Sequence, residues 1–196
     1  MNNFEKFPSL PGSQGEHEMQ EKFQTQDKAT DFYNRQMLDY LAPMMQNFIA
    51  AQEMVFISTS DKNGECDCSL RSGESGFITV IDEKRIIYPD YKGNGVLASA
   101  GNISENPHIG MLFVDFFEDK VGLHVNGKAH ILEETQLEHF GLKQLPSKQK
   151  TVFWVLVEVE EAYIHCSKNI PLFTKNDDLS QINKGRPINY FELADS

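Results

Sequence analysis

Hydrophobic and polar positions change their period along this chain, and the changes mark its elements. From Asp27 to Leu41 apolar residues recur at helical spacing, with Phe32, Met37, Leu38 and Leu41 forming a stripe. Ala42-Pro43 opens a second helix through Ala51, proline being suited to a first helical turn. The period then shortens to that of a strand. Met54 to Ser60 (MVFISTS) reads as a strand, Asp61-Lys62-Asn63-Gly64 as a hairpin turn, and Glu65 to Leu70 as the returning strand. Phe77 to Ile81 and Arg85 to Tyr88 pair across Asp82-Glu83-Lys84. His108 to Phe116 and Val121 to Leu132 pair across Glu118-Asp119-Lys120. Between these pairs a glycine-rich turn after Tyr88 leads into a helix predicted from Val96 to Ile103. Glu134 to Leu145 is predicted helical up to Pro146, and Thr151 to Cys166 (TVFWVLVEVEEAYIHC) alternates as a last long strand.

The pattern predicts about seven strands, mostly hairpin-linked, with helices at the start and late in the chain. Few crossovers of helical length occur, so a closed or partly closed antiparallel barrel is expected rather than a doubly wound sheet. Residues 1–24, polar and broken by Pro8, Pro11, Gly12 and Gly15, are expected to be an arm that lies on the surface or on a partner subunit. Residues 25–170 form the predicted domain and 171–196 a tail packing on it.

At 196 residues with 40% hydrophobic content the chain is long enough for one buried core. A formal charge of −11 argues against nucleic-acid binding, which needs clustered lysine and arginine. No run has the length of a membrane-spanning helix and MNNFEKFPSLPG has no apolar signal core, so the expected compartment is the cytoplasm, without a membrane partner. Cys66, Cys68 and Cys166 do not make a complete disulfide set. With His165 they contain the donor types of a zinc site, but the simpler expectation is three small buried residues and no metal.

Four segments carry candidate chemistry. In Pro89-Asp90-Tyr91-Lys92-Gly93-Asn94-Gly95, glycine and asparagine allow backbone geometry that aims N–H groups at an anion, ahead of a helix N-terminus and beside Lys92. The equally plain alternative is an ordinary strand-to-helix turn. In Ser69-Leu70-Arg71-Ser72-Gly73, a planar guanidinium beside hydroxyls is a good phosphate clamp, against which stands a surface ion pair. His124 and Asn126 share one face of a predicted strand. His165-Cys166-Ser167-Lys168 closes the last strand. Hydrolase, Walker and dinucleotide motifs are absent from the sequence.

Taken with their order and spacing, FIAAQEMVFISTSDKNGECDCSLRSG (48–73), YPDYKGNGVLASAGNISENPHIGMLFVDF (88–116), GLHVNGKAHI (122–131) and VEVEEAYIHCSK (157–168) resemble the pyridoxamine 5'-phosphate oxidase-like FMN-binding split-barrel family. The likeness is to its oxidase-related members rather than to the true oxidase. The resemblance implies a mainly β fold with flanking helices, a six-stranded antiparallel Greek-key split barrel, and a homodimer with FMN at the subunit interface. It implies Ser69 and Arg71 at the FMN phosphate, and Tyr88, Pro89, Asp90, Lys92, Gly93 and Asn94 around the phosphate, ribityl chain and ring edge. Lys168, with His124 and His165, is a further candidate for the ring pocket. The chain departs from the true oxidase in having Gly93-Asn94-Gly95 where that enzyme clusters basic residues. It also lacks the C-terminal tryptophan-and-arginine motif, its one tryptophan being Trp154. The expected function is an FMN-dependent oxidoreductase of unknown small-molecule substrate. The alternatives are a flavin storage or sensing module, or a split barrel using a deazaflavin coenzyme or haem.

Overall fold

The computed structural model describes residues 11–142, 145 and 150–175. Seven antiparallel strands form one sheet: β1 (Met54–Ser60), β2 (Cys66–Ser72), β3 (Thr79–Asp82), β4 (Arg85–Tyr91), β5 (His108–Val114), β6 (Gly122–Leu132) and β7 (Thr151–His165), in the spatial order β2-β1-β5-β6-β7-β4-β3. This is one strand more than the resemblance implied, and the number that hairpin counting expected. β5 returns to lie beside β1 after the β3–β4 hairpin has been placed at the far end. One apolar core collects Val55 and Ile57 of β1, Ile86 of β4, Met111 of β5, Val125 of β6 and Val157 of β7. A sheet with strands from both ends on one core must curl, and the curl brings β2 and β4 face to face.

Helices α1 (Gln14–Phe23), α2 (Gln26–Arg35), α3 (Pro43–Ala51) and α4 (Ala98–Glu105) flank the sheet. The described part of residues 1–24 contains helix α1. Ser13 caps it by accepting the Glu16 N–H at 3.1 Å, a sequence signal present in Ser13-x-x-Glu16. α2 stops at Arg35 instead of reaching Leu41. The physical reason is competition: Leu38 leaves the helix to exchange two backbone hydrogen bonds with Ala162 of β7, at 2.9 and 2.8 Å. Residues 134–140 form a 3₁₀ helix that ends at Gly141, whose φ of 75° lies in the left-handed region. The Leu145 end predicted for that helix falls beside residues outside the described set. A second apolar cluster (Ile87, Leu132, Leu137, Trp154, Leu156) lies under this helix. It explains why Trp154 to Val157 are all buried: that part of β7 is covered on both faces.

Phe173 stacks on Phe116 at 5.2 Å and Lys175 pairs with Glu53 at 2.8 Å. Residues 1–10 of the arm and 176–196 of the tail lie outside the described residues.

β6 and β7 slip register between Asn126 and Gly127. A Cβ at Gly127 would sit 2.0 Å from the Glu158 carbonyl oxygen, whereas one at the helical Gly101 would meet nothing within 4 Å. Gly127→Ala should therefore lower the thermal midpoint by about 8 °C or more, while Gly101→Ala should raise it by a few degrees. Thermal unfolding of the two variants checks this pair of opposite signs.

Candidate functional site

β2 alternates strictly. Asp67, Ser69 and Arg71 lie opposite Thr59, Ile57 and Val55 of β1, all buried, so the three polar residues share the inward face. Cys66, Cys68, Leu70 and Ser72 point outward and are exposed. The strand at this end of the sheet thus turns a polar side towards the interior, where Arg71 bridges the seam between β2 and β4 and Asp67 and Ser69 bond each other and Ser99 of α4. Arg71 donates from Nε and Nη2 to Asp90 Oδ2 of β4, both at 3.1 Å, with side chains only 23% and 15% exposed. Ser69 and the buried Ser99 of α4 both lie 3.1 Å from Asp67 Oδ2, and their hydroxyls are 3.0 Å apart.

The loop from Lys92 to Leu97 is fully exposed and joins β4 to α4. Asn94 Oδ1 accepts the Val96 N–H at 2.9 Å, while Gly95 (φ 85°) and Leu97 (φ 55°) take left-handed conformations. For a leucine this is uncommon, and no side chain caps the helix it precedes. The first-turn amides of α4 have no carbonyl within their own helix to bond, which leaves partial positive charge at that end. β2, the end of β4, this loop, the start of α4, and Val152 and Phe153 of β7 enclose a cleft of about 980 Å³.

Of the residues singled out in the sequence, Ser69, Arg71, Asp90, Lys92, Gly93 and Asn94 line this one cleft. Tyr88 and Pro89 are not among its lining residues. β4 runs on to Tyr91, three residues past the predicted end, and pairs Tyr88 with Val155 and Pro89 with Trp154. Tyr88 is wholly buried and its hydroxyl has no hydrogen-bond partner. Burial pushes that phenol's pKa well up; the Arg71 charge opposes the shift and the Asp90 charge adds to it, so the phenol is electrostatically coupled to the seam pair. Lys168 is exposed in a short 3₁₀ turn (Ser167–Asn169) after β7 and is not among the lining residues.

His124 and His165 come together elsewhere, on the outer face of β6 and β7. His124 Nε2 and His165 Nδ1 are 2.9 Å apart, one ring donating and the other accepting, and His124 stacks on Tyr163 at 4.7 Å. The cysteines correct an expectation: all three are exposed rather than buried, because β2 places Cys66 and Cys68 on its outward face. Among the described residues, no group of three or more His, Cys, Asp or Glu side chains is placed to hold a metal ion. Asp67 and Ser99 were missed. Asp67 was legible, since it shares the two-residue period of Ser69 and Arg71; Ser99 arrives only through the packing of α4.

Residues 41–166 match the model of the pyridoxamine 5'-phosphate oxidase family, well over half of the chain. The chain belongs to that family. Among solved structures, a Lactobacillus delbrueckii protein described as a pyridoxamine 5'-phosphate oxidase is 17% identical, with 65% of this chain and 98% of that one covered and a TM-score of 0.50. HupZ of Group A Streptococcus is 20% identical over 63% of this chain and 92% of its own, with a TM-score of 0.46. HutZ, the haem storage protein of Vibrio cholerae, is 18% identical over 64% and 93%, with a TM-score of 0.41. No curated protein matches the chain. The Lactobacillus structure carries the likeness of fold, and the family match accounts for the split-barrel order of the strands.

Arg71→Ala and Asp90→Ala should each destabilise the fold, and the double variant should cost less than their sum by about 1–3 kcal/mol; strict additivity in denaturant unfolding would mean that the pair does not hold the seam. Burial, and secondarily the His165 charge, hold the His124 pKa below its usual value. The unfolded chain then takes up a proton that the folded chain resists, so stability contributed here is complete above about pH 6.5 and falls as pH drops below it. His124→Gln should flatten that part of the stability profile measured between pH 8 and 5.5.

Proposed function

We propose that the seam cleft holds FMN and that the protein is a homodimeric oxidoreductase of the family. The observation that carries this reading is that Arg71, Lys92, the glycine-containing loop and an uncapped helix start all line one cleft of about 980 Å³. The donor set fits a flavin phosphate in part. Arg71 offers a planar fork, Lys92 a mobile charge, and the first turn of α4 its free N–H groups. Against them stand Asp67 and Asp90, so the two cationic and two anionic side chains of the lining cancel formally. An incoming phosphate therefore competes with Asp90 for Arg71, and Lys92 with the α4 amides is the uncontested part of the cradle.

Bound FMN would supply hydride or electron transfer, and the chain's own residues would orient it and exclude water. Leu70, Val96, Leu97 and Val152 are exposed apolar residues that border the cleft, and they suit contact with the ring or with a second copy of the chain. No histidine lines the cleft, so a haem there would have only Cys68 or Tyr91 as an axial ligand. No helix among the described residues is long and apolar enough to cross a membrane.

Purified protein should be yellow and release FMN on denaturation. Because Asp90 already engages Arg71, Arg71→Ala should weaken FMN binding by only about threefold to tenfold in a fluorescence titration. Undiminished affinity would remove Arg71 from the phosphate. Oxidation of NAD(P)H with a range of acceptors distinguishes an enzyme from a storage or sensing module.

A further inference from the structure

The Asp67–Ser69–Ser99 cluster has a hydrogen-bond inventory that selects its ligand. Three oxygens lie within 3.1 Å of one another in every pairing: Asp67 Oδ2, Ser69 Oγ and Ser99 Oγ. Two hydroxyl protons serve these contacts. Whether both hydroxyls donate to the carboxylate, or one donates to the other and the second to Asp67, both protons are used inside the cluster. What remains facing the cleft is lone pairs. Such a group accepts hydrogen bonds from O–H or N–H at no cost, whereas donating to a phosphate oxygen would take a proton away from a contact inside the cluster. Asp67 also adds negative charge where a phosphate bonded to Ser69 would have to sit.

We infer that Asp67 is a specificity-determining residue that makes this side of the cleft read the hydroxyls of a polyol chain, such as the ribityl chain of a flavin, rather than a phosphate. The inference deepens the flavin reading and rests on it for the identity of the ligand. It reverses the role the family resemblance implied for Ser69. Arg71 does not offset the effect, because its fork is already engaged by Asp90. The terminal phosphate is left with Lys92 and the start of α4 alone, opposed by Asp67, so its net gain is small and the cleft takes flavins with and without it.

The test is a fluorescence titration of the full chain with FMN and with riboflavin, for the wild type and Asp67→Asn. The asparagine oxygen still accepts from both serines, while its amide adds donors and removes the charge. The wild type should bind the two flavins within about tenfold of each other, and Asp67→Asn should tighten FMN relative to riboflavin by about tenfold or more. Asp67→Ser should change the ratio in the same direction, which covers a packing failure of the first variant. A wild-type preference for FMN of about a thousandfold, or an unchanged ratio in both variants, overturns the inference. If neither flavin binds any variant, the flavin reading fails, and the role of Asp67 is then decided with inorganic phosphate. A larger phosphate-dependent rise in thermal midpoint for Asp67→Asn than for the wild type upholds anion rejection by Asp67, and an equal rise overturns it.

Discussion

The sheet of this protein ends on β2 and β3, and Arg71 of β2 reaches Asp90 near the end of β4. That ion pair is the constraint on which the rest of the candidate site depends. β2 has a backbone ladder to β1, whereas across the seam it relies on side chains and on α4. Two charges that are mostly withdrawn from water must be paired and hydrogen-bonded to be tolerated, and each is the other's partner. The pair thereby fixes the spacing between the two walls, leaves Tyr88 buried behind them, and sets the width of the cleft. It also fixes a condition on function: an anionic ligand gains Arg71 only at the expense of Asp90.

Much of this fold was legible in the chain. The hairpin turn Asp61-Lys62-Asn63-Gly64 announced β1 and β2, and the acidic turn Glu118-Asp119-Lys120 announced β5 and β6. The miss at β4 has a local cause. Pro89 reads as a strand breaker, because it lacks a backbone donor. Yet β3 pairs with β4 only as far as Ile87, so beyond that point β4 has a single neighbour and a proline is admissible. The miss at α2 is of the other kind, a tertiary contact overriding local propensity when Leu38 pairs with Ala162.

The site was legible to the extent that it lies on one strand or in one loop. Ser69 and Arg71 lie two residues apart on β2, and Lys92, Gly93 and Asn94 are consecutive. Their convergence was implied by a resemblance. The exposure of Cys66 and Cys68 follows from the same alternation that turns Ser69 and Arg71 inward, and an account of all seven residues of β2 as one period-two pattern would have found both. Ser99 and the orphaned Tyr88 hydroxyl were beyond reach, since each depends on where another element packs. The balanced charge of the cleft is likewise a property of two strands seen together.

The seam between β2 and β4 is proposed as the cofactor site. A crystal structure of the full chain grown with FMN tests it most directly. Flavin density is expected in the cleft bounded by β2, Lys92 to Leu97 and the start of α4, with the phosphate at Lys92 or the α4 amides and the ribityl hydroxyls towards Asp67. Flavin density at any other position, with the Arg71–Asp90 cleft empty, would contradict it.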